Sequence, residues 1–180
     1  GTYFKTSVFT HAKNRFIWLL FLMISSAVTG AVITHYETAF AALPILVSFI
    51  PMVMGTGGNC GSQSSTLIIR GLANDEISTK DILKALWKEI RIAVVVGIGL
   101  FIANFVRIMF QYNNMNIAIV VGLTVIGTTI LSKSLGCLLP MAAKKLKLDP
   151  AIMAAPLIST IVDTCSVMLF FNIAIVILGI

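Results

Sequence analysis

The chain has 180 residues, of which 58% are apolar and only 11% charged, against about 45–50% and 25% in soluble domains. Thirteen Lys/Arg and seven Asp/Glu cannot coat a water-soluble domain of this size, and a chain so apolar does not stay disordered. With roughly 20 apolar residues needed per helical crossing, the composition predicts a single all-α, polytopic membrane domain over residues 1–180 with five transmembrane helices.

Residues 1–15 set Tyr3, Phe4, Val8 and Phe9 among Lys5 and Lys13, a short amphipathic lead-in expected on the cytoplasmic surface. The first span is expected over about 16–34. Its uncharged core outlasts a signal-peptide h-region and no small-residue cleavage site follows it, so it reads as a retained helix. The second span, 38–69, holds 32 residues without a charge. As one straight helix these would reach about 48 Å, against about 30 Å of hydrocarbon. Pro44 and Pro51, then Gly55, Gly57, Gly58 and Gly61, predict that this helix bends or breaks near its middle. A polar, partly helical connection follows from Gly71 to Glu89. The third span, 90–110, carries Arg91 and Arg107. The turn Gln111 to Asn116 leads to the fourth, 117–143, which contains Lys133 and Pro140. Asp149 as N-cap and Pro150 at the first helical position open the fifth, 150–180.

Five spans put eleven of the thirteen basic residues on one side, with none in the two opposite turns. By the positive-inside rule the N-terminus is cytoplasmic and the C-terminus outside, in a plasma-membrane protein. Topology thus accounts for the net charge of +6, and no nucleic acid is expected as a partner. Cys60, Cys137 and Cys165 form no CxxC pair and read as small buried residues.

Asp163 has thirteen uncharged residues before it and seventeen after it, which places it near the centre of the last span. A carboxylate there costs about 2.5–3.5 kcal/mol on insertion scales, so it must meet water, a cation or a basic partner. Lys133 and Arg107 are the available partners for a structural ion pair. Arg107 lies within reach of the outer turn, and Lys133 is expected to extend to the cytoplasmic interface. The segment PMVMGTGGNCGSQSSTLIIR from Pro51 crowds Thr56, Asn59, Gln63, Ser64, Ser65 and Thr66 among four glycines. Gly57 and Gly61 form a GxxxG that alone would indicate close helix packing. With Asn59, Gln63 and a mid-membrane carboxylate beside it, an ion pathway is the better account, since irregular polar backbone at membrane depth lines a watery cavity or is buried in protein. Neutral oxygens plus one carboxylate suit hard divalent cations, Mg²⁺ among them. A two-fold homodimer would set two copies of Asp163 across a pore at its interface.

The stretch from Pro51, containing GTGGNxGxQSxT, together with Asp149-Pro150 and PLISTIVDTCSVMLFF from Pro156, resembles the transmembrane domain of the MgtE family of magnesium channels over essentially the whole chain. The resemblance implies a homodimer in which the second and fifth helices line a central pore, embedded among membrane lipids. It implies hydrated Mg²⁺ at Asp163 of both subunits, with Gly55 and Asn59 around it and Gly58, Gln63, Thr66 and Thr160 along the pore wall. Asp149 matches a position that helps bind regulatory Mg²⁺ at the cytoplasmic mouth. Members of the family usually carry a cytoplasmic sensor ahead of the pore, so these residues are expected to be the pore domain of a longer chain, without the regulatory domains. The leading expectation is passive Mg²⁺ uptake. The alternative is a secondary carrier coupled to protons or other cations, in which Asp163 and Lys133 exchange a proton. The absence of HExxH, GxSxG and GxxxxGK[ST] patterns points away from an enzyme or an ATP-driven pump.

Overall fold

The computed structural model describes residues 2–180, and all regular structure in these residues is helical. Helix α1 (Thr2–Lys5) is a single turn, and α2 (Val8–His35) begins directly after it. The Ser7 hydroxyl accepts the Thr10 amide at 3.2 Å and starts α2 there. The expected lead-in is therefore corrected: residues 8–15 belong to the same helix as the first span, which runs for 28 residues. Thr29 is the one buried side chain of α2, and its hydroxyl shares a 2.6 Å hydrogen bond with Thr164 Oγ1 on the last helix.

The second uncharged run is broken, but not at its glycines. After α3 (Glu37–Ala42), Leu43 is extended at φ −147° and ψ 82°, and a 3₁₀ turn covers Pro44–Phe49. A proline disfavours the helical conformation in the residue before it; Leu43 takes the extended alternative, and the break falls there. Helix α4 (Ile50–Ala73) then continues without interruption through Gly55, Gly57, Gly58 and Gly61. Pro51 lies in its first turn, where a missing N–H breaks no helical bond. Without water to replace them, the helical hydrogen bonds at membrane depth persist despite the poor propensity of glycine.

Asp75 turns the chain at φ 57°, and Ser78 with Asp81 forms a capping box ahead of α5 (Ile82–Tyr112). This helix starts eight residues before the expected span and takes Glu89 into the bundle, buried on the side facing α4. Asn113, in the left-handed region at φ 48°, ends it. Asn114 caps α6 (Met115–Lys145), accepting the Ile117 amide at 3.2 Å. Asp149 is an N-cap as expected, but of a 3₁₀ turn over Pro150–Met153. The last helix, α7 (Ala155–Leu178), starts after extended Ala154.

Helices α2, α5, α6 and α7 are long and apolar enough to cross a membrane, so the chain is a multi-pass membrane protein. Helix α4 has 24 residues, enough to cross, but carries the polar run. Parallel α4 and α6 form the centre, their contacts rising together from Gly57 against Thr128 to Gln63 against Lys133, with α5 beside α6 and α7 closing on both. Their contact has two apolar ends, one built on Leu46, Phe49, Ile108, Val121, Phe170 and Phe171 and a smaller one on Ile68, Leu72, Cys137 and Met141. Between them lies a buried belt of small and polar residues: Gly57, Gly61, Ser64 and Ser65 of α4, Thr128, Ser132 and Gly136 of α6, and Ser166 of α7. Lipid is as apolar as leucine, so close backbone packing rather than hydrophobic expulsion holds such helices together.

Candidate functional site

The helical period divides α4 into two unlike faces. Gly57, Gly58 and Gly61 are buried against neighbours. A Cβ on Gly57 would lie 2.6 Å from Ser166 Oγ, on Gly58 3.2 Å from Ser159 Oγ, and on Gly61 3.3 Å from Val162. The GxxxG pair is thus a packing seam against α7, and Gly58 belongs to that seam. Gly55, Asn59, Gln63 and Thr66, spaced four, four and three residues apart, are exposed on the opposite face. A Cβ at Gly55 would meet nothing within 4 Å. The open face spans about 17 Å from Gly55 to Thr66 at the helical rise, and all four positions offer polar or backbone groups.

Asp163 sits at one edge of this face. Ser159 touches Gly58 while Val162 and Ser166 touch Gly57, so α7 runs antiparallel to α4, and Asp163, one turn beyond Ser159, lies near the level of Gly55. It is half-buried, and among the described residues no hydrogen-bond donor reaches its carboxylate. Thr160 is half-buried, with its hydroxyl donating to the Pro156 carbonyl at 2.8 Å. Asp149 is exposed at the end of the bundle, its carboxylate accepting the Ala151 amide at 3.0 Å. The structure therefore brings Gly55, Asn59, Gln63 and Thr66 onto one face with Asp163 beside it and Thr160 one turn before Asp163 on α7, and puts Gly58 in the packing seam and Asp149 at the end of the bundle. No group of three or more His, Cys, Asp or Glu side chains converges among the described residues.

At the other edge, α4, α5 and α6 enclose an open groove of about 840 Å³. Asn59, Ser62, Gln63 and Thr66 line it from α4, Glu89 from α5 and Lys133 from α6, with Leu67, Ile92 and Val96 at its apolar margin. Lys133 does not extend to the cytoplasmic interface as expected. Its side chain is 4% exposed, and its ammonium donates to Gln63 Oε1 at 3.1 Å. The polar lining of the groove offers the ammonium a nearer partner than water. Arg107 does follow the expected course, bonding Gln111 Oε1 at 3.2 Å and lying over the Phe49 ring at the far end of the bundle. Glu89 escaped the sequence reading. It is 8% exposed and accepts the Ser64 hydroxyl at 2.7 Å. The signal for it was its place one turn before the uncharged run that begins at Ile92, on the side of α5 opposite exposed Trp87 and Arg91. Cys60 and Cys137 are buried and Cys165 half-buried, all as free thiols.

The family model for MgtE, described as a divalent cation transporter, matches residues 50–173, a segment that runs from α4 into α7. The magnesium transporter MgtE of Bacillus subtilis (strain 168) is 34% identical over 172 residues, which cover 95% of this chain and 38% of that protein. Its counterpart in Thermus thermophilus is 28% identical over 157 residues, 87% of this chain and 35% of that protein. The Enterococcus faecalis counterpart is 29% identical over 163 residues, 91% and 36% respectively. The chain thus spans a little over a third of the length of each of these relatives. It belongs to the MgtE family of divalent cation transporters.

Proposed function

We propose that this chain forms the pore of a Mg²⁺ channel, with α2, α4, α5, α6 and α7 crossing the membrane and the N-terminus in the cytoplasm. The observation that carries the proposal is the open polar face of α4, Gly55–Asn59–Gln63–Thr66, flanked by the half-buried Asp163 carboxylate. Such a face cannot be left to hydrocarbon, because each polar group there would lose its partner. A second copy of the chain, related by a two-fold axis, would cover the face and enclose water along it. Two Asp163 carboxylates would then face the same conduit, matching the charge of one divalent ion.

Mg²⁺ gives up its waters reluctantly and is usually held by one or two carboxylates with several waters retained. Two carboxylates, the Asn59 amide and the carbonyl next to the side-chain-free Gly55 suit a hydrated ion passing through, where a cage of many acids would trap it. The printed names of the relatives, magnesium transporters, support Mg²⁺ as the substrate. The reading as a proton-coupled carrier depended on Asp163 and Lys133 sharing a proton, and the bond from Lys133 to Gln63 favours the channel instead. The test is growth and Mg²⁺ uptake in cells that depend on this protein. Asp163→Ala is expected to abolish uptake while the protein still reaches the membrane. Undiminished uptake would remove the carboxylate from the path.

A further inference from the structure

The groove beside the open face holds two opposite charges that the permeation path does not use. Lys133 and Glu89 are each more than nine-tenths buried, on different helices, and line one cavity. Adjacent residues of α4 hold them: Gln63 accepts from the Lys133 ammonium and Ser64 donates to the Glu89 carboxylate. An unmatched ammonium at this depth is unfavourable, so its surroundings have to replace water. The Gln63 carbonyl oxygen accepts its hydrogen bond, while the Glu89 carboxylate, not in direct contact with the ammonium, and the oxygens of Asn59, Ser62 and Thr66 line the same cavity. Neutral oxygens with a single carboxylate are the donor set of a hard metal ion.

We infer that the Lys133 ammonium is a tethered cation occupying a second hard-cation site, formed by Glu89 and the Gln63 carbonyl in the α4–α5–α6 groove. Its charge sits where a divalent ion would otherwise bind. Three groove residues, Asn59, Gln63 and Thr66, also belong to the open face of α4. A permeating ion passing that face is therefore repelled from the groove and held to the Asp163 edge. This last consequence rests on the proposed path, whereas the occupied site does not.

The experiment counts Mn²⁺ bound to the intact protein in lipid nanodiscs by electron paramagnetic resonance. An Asp163→Asn background removes the carboxylate of the proposed pore, so the count is independent of permeation. In that background Lys133→Met is expected to bind one additional Mn²⁺ per chain, Lys133→Arg none, and Lys133→Met with Glu89→Gln none. Lys133→Gln, which keeps a donor for Gln63, carries the same expectation as Lys133→Met and serves if the latter does not fold. Equal Mn²⁺ counts with and without Lys133, or a gain that survives Glu89→Gln, would overturn the inference. So would misfolding of both neutral variants alongside a folded Lys133→Arg, since the ammonium would then be a structural counter-charge only.

Discussion

Gly136→Ala tests the central packing directly. A Cβ on Gly136 would lie 2.5 Å from the Gly61 carbonyl oxygen, 3.0 Å from Ser64 Cβ and 3.1 Å from the Ser65 amide nitrogen. Two of these three are backbone atoms of α4, which no rotamer change can move. Ordinary contact begins at 3.4 Å, so α6 must retreat from α4 by about 0.9 Å at this point (3.4 − 2.5). Overpacking of this kind costs about 1–3 kcal/mol, and backbone on both sides places the cost at the upper end. The better helix propensity of alanine offsets about 1 kcal/mol of it, leaving a net loss of roughly 2 kcal/mol. The same retreat stretches the Lys133–Gln63 bond, three residues away on α6. Unfolding of the purified protein in mixed micelles by titration with SDS, followed by circular dichroism, measures the loss. Gly99→Ala is the control, because a Cβ there meets nothing within 4 Å; it is expected to be neutral or slightly stabilising. If Gly136→Ala unfolds at the same SDS fraction as Gly99→Ala, the α4–α6 contact is not as close as described.

At Gly55 an added methyl also meets nothing, so Gly55→Ala should leave the unfolding midpoint unchanged or raised while lowering Mg²⁺ uptake; unaltered uptake would argue that the open face of α4 does not line the path. Ser64→Ala removes the hydroxyl that Glu89 accepts from at 2.7 Å, and hydrogen bonds to charged groups are worth about 1.5–3 kcal/mol, so the SDS midpoint should fall by a corresponding amount. Ser166 Oγ is buried without a partner. Ser166→Ala should therefore be neutral or stabilising by up to about 1 kcal/mol in the same titration, and a clear loss would show that the hydroxyl is bonded in the membrane.

Of the helix starts, the cap at Asp149 was legible, and its carboxylate accepts the Ala151 amide. The caps at Ser7 and Asn114 were not read, and Lys13 and Arg15 placed the first helix eight residues late, because charged residues can occupy a helix that extends beyond the hydrocarbon. The break in the second uncharged run was legible as a necessity but misplaced. Glycine weakens a helix in water because the unfolded backbone gains entropy and hydration, whereas at membrane depth the alternative is an unbonded amide. Gly57 and Gly61 therefore persist as helix and serve close approach, and the extended residue forced by Pro44 absorbs the turn. The edge of the site given by Asp163 was readable because a lone carboxylate amid thirty apolar and small residues has few explanations. The edge given by Glu89 was not, because the basic residues around it, Lys84, Lys88 and Arg91, mark a water-exposed connection; only the angular position of Glu89 on α5 turns it inward. Lys133 was misassigned for a related reason: snorkelling follows from distance to the interface alone, whereas the polar groove that retains it is assembled from three separate helices.

The most direct measurement is anomalous diffraction from crystals of the protein grown with Mn²⁺ in place of Mg²⁺. The account predicts a peak on a two-fold axis between the Asp163 carboxylates of two protomers, at the level of Gly55 and Asn59. A dimer whose α4 open faces turn away from each other, with Asp163 against lipid and the metal peak elsewhere, would contradict it.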